Sequence, residues 1–453
     1  MNGKRCLIVV AVLLFLAQMV ILGHVVEKTE ATSILHVPGD FPTIQEAVNF
    51  AVSGDTIQVS AGTYYERVVM NQSVTLLGEG GGVTILDGEN KLETIIKVVA
   101  DNVVVSGFEL RKTGWAWARA GVEIYGADNC TVVDNLLNHT CHQIRLDGSR
   151  GTKVVGNIVT APSYPFPQSA YGIRVENSVD CLIEGNNVSN NIGGIHLENA
   201  TRCAVIRNYV FQNGQGIRLY SPCQDNRMSG NTVFNNSYDG MIEAMPGNQT
   251  LEGNLFVHNN FINNSEPFIY KVEGCIWDNG DEGNYWTAYQ GTDFNDDGVG
   301  DSAYHIGLEQ DNCPLMGAYS EYEVQKGDII FKVGLICNSS ASGFQFNGTG
   351  IHFSLAGKNG TSGFCRIRVP VSLVAQPYQV FVNGTAVSYD LLAVSNDTFS
   401  HLYFTYELST KEVLIIPELI SPILFLLFLM TTLLTAVIVN RKKYFEKSWA
   451  SKD

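Results

Sequence analysis

The sequence predicts an all-β fold: a right-handed, single-stranded parallel β-helix, followed by a small β-sandwich and a C-terminal transmembrane helix. Three observations carry this. One asparagine recurs at Asn135, Asn157, Asn186, Asn208, Asn231 and Asn254, in steps of 22, 29, 22, 23 and 23. An apolar–x–apolar strand keeps the same period at Val122/Ile124, Ile144/Leu146, Ile173/Val175, Ile195/Leu197 and Ile217/Leu219. Near the other end, Leu419 to Val439 runs 21 residues without a charge, close to the ~20 needed to cross a bilayer as a helix.

In chain order, Lys4 and Arg5 precede an apolar run from Cys6 to about Gly23, with the small residues Ala31, Thr32 and Ser33 beyond. Residues 1–33 therefore read as a secretory signal or an uncleaved N-terminal anchor. Residues 34–275 hold the repeat. A unit of this length cannot bury its apolar face alone and must stack into a solenoid. The units are rich in Val, Ile, Asn and Gly, alternate at period two and contain no helical i, i+3, i+4 pattern, which selects a parallel β-helix over a leucine-rich repeat. The recurring asparagine reads as an internal ladder that closes backbone hydrogen bonds at a corner.

Residues 276–323 read as a C-terminal cap. In GTDFNDDGVGD, Asp293, Asn295, Asp297 and Asp301 stand at the offsets of an oxygen-rich calcium loop, with Gly298 at the turn. A structural calcium ion is the expectation. From 324 to 416 short alternating strands such as FCRIRVPV and HLYFTYEL replace the repeat, which suggests a β-sandwich stalk. Residues 417–440 hold the membrane span, and 441–453 form a basic tail beginning Arg441, Lys442, Lys443, which places that side in the cytoplasm.

Composition agrees with export. The apolar share is 45% and the charged share 16%, enough for a core and unlike a disordered tail. The net charge is −16, and removing the +3 tail and the +2 N-terminal pair leaves −21 outside the membrane. A surface of that sign excludes nucleic acid as the expected partner. Sequons at Asn71, Asn138, Asn187, Asn199, Asn248, Asn347, Asn383 and Asn396 suit glycosylation outside a cell. Nine cysteines remain after Cys6, compatible with disulfides but leaving one thiol over. Cys275 with Cys313 and Cys337 with Cys365 are the candidate bridges, the second between the two sheets of the sandwich.

The stretch HVPGDFPTIQEAVNFAVSGDTIQVSAGTYYERV, with LLGEG and VVVSGFEL, resembles the opening of NosD-like and carbohydrate-binding/sugar-hydrolase right-handed β-helix proteins, which are pectin-lyase-like in fold. The terminal GNYWTAYQGTDFNDDGVGDSAYHIGLEQDNCPLM resembles archaeal membrane-anchored surface proteins of the same kind. The resemblance covers residues 34 to 320 and implies that Thr43 to Ala51 form a helix plugging the first coil. It also implies a link to copper supply. The thiols Cys130, Cys181 and Cys203, each five residues before a ladder asparagine, form the one sulfur column, without His or Met to complete a copper site. Packed thiols or a disulfide suit them better.

If the two apolar residues of each repeat strand point inward, the residues between and after them point out. One outward column is then Glu123, Arg145, Arg174, His196 and Arg218, and the next is Tyr125, Asp147, Glu176, Glu198 and Tyr220. Gly121, Gln143, Gly172, Gly194 and Gly216 lie beside them as a possible groove floor. Aromatic residues enter with the preceding loops: Trp115 and Trp117, then Tyr164, Phe166 and Tyr171, with Tyr238 near the last. Rings beside arginines and carboxylates suit a sugar polymer, because rings stack on sugar faces while charged groups bind hydroxyls or uronate carboxylates. In a catalytic reading Asp147, Glu176 and Glu198 are the acids and bases, and Arg174, Arg145 and His196 the charge stabilisers. Trp115, Trp117, Glu123, Tyr125, Arg145, Tyr164, Arg218 and Tyr220 would line the substrate, for a lyase, hydrolase or epimerase. The competing reading is a solvated charge ladder on an exposed sheet. No DPHD, GHG or NTD motif is present in the register expected of an epimerase or polygalacturonase. Polysaccharide binding at the cell surface leads, with a copper accessory protein and a non-catalytic envelope or adhesion component as the other two classes.

Overall fold

A computed structural model describes residues 32–114, 119–161, 171–220, 222–237, 251–265 and 274–418. The signal or anchor run, the membrane span with its basic tail, and the loop aromatics Trp115, Trp117, Tyr164, Phe166 and Tyr238 lie outside these residues. Among the described residues no helix is long and apolar enough to cross a membrane.

Successive short strands cycle through three parallel sheets of ten, ten and seven strands; a central coil contributes one strand to each, and among the described residues the coils at the two ends lack a strand in the seven-stranded sheet. The alternation that permits this is visible in Thr56–Val59, where Ile57 and Val59 are buried and Thr56 and Gln58 are not. Inward side chains one coil apart stack on one another, as Ile144, Ile173, Ile195 and Ile217 do in consecutive pairings. That interior is closed at the N-terminal end by a helix, Ile44–Phe50, which buries Ile44, Ala47 and Val48. Thr43 caps it by accepting the Glu46 N–H, and the Glu66 carboxylate accepts the Ile44 and Gln45 N–H groups. Without the plug the first coil would expose strand edges and apolar side chains.

The corners are held by asparagine. The Asn157 Oδ1 accepts the Asn135 backbone N–H at 3.0 Å, and Asn157 in turn donates its own N–H to Asn186 at 2.9 Å. The residue before each ladder asparagine takes a left-handed conformation: Asp134, Gly156, Gly185, Arg207, Gly230 and His258 all have φ between 54° and 67°. One expectation is corrected here. Asn231 donates to Asn259, not to Asn254, which instead follows Asn226 in the neighbouring column. The coil there carries 28 residues, so a step of 23 lands one corner early. The ladder continues through Asn284 and ends on Asp311, whose Oδ2 accepts the Asn284 N–H at 2.8 Å.

Two antiparallel five-stranded sheets follow, beginning at Ala318–Lys326. They pack face to face around Val333, Leu335, Phe353, Ile367, Phe404, Val413 and Ile415. Cys337 and Cys365 face each other on adjacent strands of one sheet, so they do not link the two sheets. Their thiols are free, as are those of Cys275 and Cys313. The sandwich is docked onto the end of the solenoid. Asn260 exchanges two hydrogen bonds with the Tyr319 backbone, and the buried Arg366 reaches Glu282 at 2.7 Å and the Asp297 carbonyl at 2.9 Å. No titratable cluster was legible in the sandwich strands alone; it exists because Arg366 and His401 meet Glu282 and Asp297 across this junction.

Candidate functional site

The seven-stranded sheet brings the two outward columns into register. Glu123 pairs with Arg145, Arg145 with Arg174, Arg174 with His196 and His196 with Arg218. Tyr125, Asp147, Glu176, Glu198 and Tyr220 align beside them in the same pairings. Lys97 extends the first column by one coil.

These charges form one connected network. Arg145 donates from Nε to Glu176 at 2.7 Å, from Nη1 to Glu123 at 2.7 Å and from Nη2 to Asp147 at 2.8 Å. Arg174 bridges Glu176 and Glu198, the latter at 2.9 Å. Arg174, Glu176 and Glu123 are each buried to 7% exposure or less. A ladder of solvated charges would leave these groups in water, and removing ionised groups from water is costly unless each is paired. The burial therefore excludes a solvated charge ladder for Glu123, Arg174 and Glu176.

A third outward column was not assigned from the sequence. Ala120, His142, Tyr171, Gly193 and Gln215 occupy equivalent places at the start of the same strands. Alternation breaks there. A side chain on Gly121, Gly172 or Gly194 would collide with the interior residues Leu137, Val188 or Val210, so the glycines face the core and are not a groove floor. The residue before each glycine faces outward instead. Tyr171 uses that place to lay its ring over Gly193, stacked on His196 at 4.6 Å and flanked on its other side by His142 at 5.7 Å. Its hydroxyl accepts from Arg218 Nη1 at 3.0 Å. The signal available in the sequence was the spacing: His142 and Tyr171 each stand two residues before an inward isoleucine.

Burial and the neighbouring guanidinium groups of Arg174 and Arg145 push His142 down to about 3. Burial likewise lowers His196 to about 4, although its bond to Glu198 opposes that shift. Both imidazoles are neutral at neutral pH. Glu198 is held down at about 2 by the His196 hydrogen bond and by Arg174, so it is ionised. His196 then donates from Nε2 to Glu198 at 3.4 Å, and its Nδ1 is a buried acceptor with no hydrogen-bond partner among the described residues. Chemically, the site offers an ionised carboxylate, a neutral imidazole acceptor, an aromatic face and a row of guanidinium groups.

Neither expected metal site assembles. Both carboxylate oxygens of Asp293 accept backbone N–H groups, from Asp297 at 3.0 Å and Gly298 at 2.8 Å. Asp297 Oδ1 accepts from Val299, Asp301 accepts from the Phe294 N–H, and Asn295 turns its amide N–H toward Asp297. The loop oxygens are engaged by its own backbone N–H groups, and as placed they do not converge as a closed calcium cage. Cys181 and Cys203 are buried, with thiols bonded to main-chain carbonyls of Ser149, Val179, Ser178 and Thr201. The adjacent Cys203 thiol and burial raise Cys181 far above the ordinary thiol range, while the same contact lowers Cys203, so the pair does not supply two thiolates to cuprous copper. Among the described residues no three His, Cys, Asp or Glu side chains converge on a metal position.

The sequence profile of the family described as Periplasmic copper-binding protein (NosD) matches residues 48–251 and 166–291. Together these span more than half of the chain. Among solved structures, the chain is similar to pectate lyase Pel9A at 12% identity, covering 59% of this chain and 83% of that one, with a TM-score of 0.43. A rhamnogalacturonan lyase is similar at 13% identity, with 59% and 90% covered and a TM-score of 0.40. An alginate lyase from Paenibacillus sp. str. FPU-7 is similar at 14% identity, with 54% and 98% covered and a TM-score of 0.37. No curated protein matches.

Proposed function

This chain belongs to the NosD family, and from that premise we propose that it is an extracytoplasmic, membrane-anchored β-helix protein that binds polysaccharide along its seven-stranded wall. The observation that carries the reading is the juxtaposition of the Tyr171 ring with the buried guanidinium ladder Arg145–Arg174 and with Arg218. A sugar ring needs a flat apolar partner, and uronate carboxylates or hydroxyls need fixed N–H donors. Lys97 lies 4.8 Å over the Tyr125 ring and Arg218 5.5 Å from that of Tyr220, which repeats the pairing at both ends of the wall. Arg145, Arg218, Tyr125 and Tyr220 are the contacts we assign to the polymer, and Glu123, buried, holds Arg145 from behind. Glu198 and His196 are the pair placed to move a proton, with Asp147 and Glu176 holding the arginines.

The test is retention of full-length protein, in detergent, on immobilised uronate-containing and neutral polysaccharides, compared with Arg174→Ala. Binding of the wild type with at least about tenfold loss in the variant, equivalent to about 1.4 kcal/mol, is the expected outcome. Absence of binding to every polymer overturns it. The family's copper-binding description favours a second reading, an accessory protein for copper. Among the described residues the Cys130, Cys181 and Cys203 column has no His or further ligand converging on it and does not fit the ion. Stoichiometric copper surviving dialysis would restore that reading.

A further inference from the structure

The sandwich has two distinct ends, and strand register identifies them. Ala318, Cys337, Cys365 and Phe404 lie side by side at one end, next to the solenoid contacts of Tyr319 and Arg366. Along the same sheet the strands Ala318–Lys326 and Ile329–Cys337 run away from the solenoid to a two-residue turn, Gly327–Asp328, where Lys326 pairs with Ile329. Gly327 takes φ 62°, which a glycine adopts freely at this place in a hairpin. In the second sheet Phe346 pairs with Ile351, Ile351 with Ile415, and Tyr378 with Pro417. Lys326 joins the two sheets at this far end: its ammonium lies 5.9 Å from the Phe346 ring and donates to the Ser372 and Leu373 carbonyls at 2.9 and 2.8 Å. The hairpin tip and the exit of the last strand at Pro417 therefore share one end of the sandwich.

The tip exposes two adjacent isoleucines, Ile329 at 60% and Ile330 at 63%. Large aliphatic side chains side by side at a turn are more stable removed from water than exposed to it. The uncharged run Leu419 to Val439 begins two residues after Pro417. We infer that the Lys326–Ile330 hairpin is a second membrane contact, placing Ile329 and Ile330 in the headgroup and acyl boundary of the bilayer in which the 417–440 span is anchored. The occupant is a lipid surface because an apolar run starting at that same end brings the bilayer to it. This inference rests on the anchored reading proposed above. Its consequence is orientation: nine-residue strands of ~3.4 Å rise per residue hold the solenoid about 30 Å from the lipid, with the binding wall clear of the surface.

The experiment uses full-length protein in lipid nanodiscs, once with ordinary lipid and once with lipid brominated high on the acyl chain. Ile329→Trp is compared with Asn359→Trp, which sits in the loop joining Ala356 to Ser362 at the solenoid end; native tryptophan emission is subtracted. The expected result is a blue-shifted Ile329→Trp signal that loses roughly half its intensity to bromine, as a residue seated at the interface should, with Asn359→Trp unaffected. If the protein resists alkaline carbonate extraction but Ile329→Trp is not quenched, the hairpin contact is overturned and the anchor stands. Release by carbonate overturns the anchor itself, and the hairpin contact with it.

Discussion

The Tyr171 ring occupies the space that a side chain on Gly193 would need: a Cβ there would overlap ring atoms Cδ1 and Cε1. One coil-neighbour therefore lacks a side chain so that the other can lie flat across the wall and reach both His196 and Arg218.

Gly193→Ala should displace the ring, breaking the 4.6 Å stack on His196 and the hydrogen bond from Arg218. Polysaccharide retention is expected to fall about tenfold, while the overpacking costs about 1–3 kcal/mol of stability. Tyr171→Phe, which keeps the ring and loses the hydroxyl, should retain most of the stacking and separate the two contributions.

Removing the hub of the ion network should be far more damaging to the fold. Arg145→Met strips three carboxylates, Glu123, Asp147 and Glu176, of a shared partner. Because Glu123 and Glu176 are buried, a loss of about 2–4 kcal/mol in urea unfolding is expected. A loss below about 0.5 kcal/mol would return the ladder to the solvated class.

The asparagine ladder should show the penalty of an unpaired donor. Asn208 Oδ1 accepts both the backbone N–H and the Nδ2 of Asn186, at 2.9 and 3.0 Å. Asn208→Leu leaves the Asn186 backbone N–H without an acceptor in the interior, while Nδ2 keeps the Val154 and Glu184 carbonyls, so destabilisation of about 1–3 kcal/mol is expected by denaturant melt. Substitution of exposed Asn71 should change little.

Acid should weaken the fold from near neutral pH downward. His142, His196 and His401 are lowered to about 3, 4 and 4, mainly by burial, so each stays neutral when folded and takes a proton when unfolded. Their contribution is complete above pH ~6.5 and is lost as pH falls toward the folded values, at up to about 1.4 kcal/mol per unit for each. Glu282 adds a lower step. Burial raises its pKa, but the His258 bond and Arg366 outweigh that and hold it at about 2, so its share is lost between pH ~4.5 and 2. Asp311 works the other way: burial raises it to about 6, so its favourable share is present below pH ~3.9 and lost as pH rises through 6. Melting temperature against pH for the wild type and His142→Asn should show a shallower acid slope in the variant.

Chelation should leave thermal stability where it was, since Asp293 and Asp297 already serve loop N–H groups. Asp293→Ala is expected to cost about 1–3 kcal/mol through those two orphaned amides. A calcium-dependent rise in melting temperature, abolished by the same substitution, would overturn this reading of the loop.

Much of the wall was legible because a stacked repeat makes residue spacing a distance: Arg174, His196 and Arg218 are neighbours since 22 residues close one coil. The same logic failed where a coil changes length, and Asn254 was placed in a column that belongs to Asn259. It also failed at strand starts, where the inward turn of Gly172 and Gly194 hands the outer face to Tyr171 and to the bare Gly193. Spacing could not anticipate the Arg366–Glu282 contact, whose partners lie in different domains.

The residues alone determined that this chain coils, which side chains share a column, and where an apolar run follows the last strand. Only the tertiary structure decided that the wall's charges are buried and paired, that the glycines face inward, that the loop carboxylates turn to their own backbone, and that the sandwich is fastened to the solenoid. Periodicity encodes contacts between successive coils of a regular stack. Burial, loop closure and the meeting of two domains depend on how whole surfaces pack, and no local spacing records that.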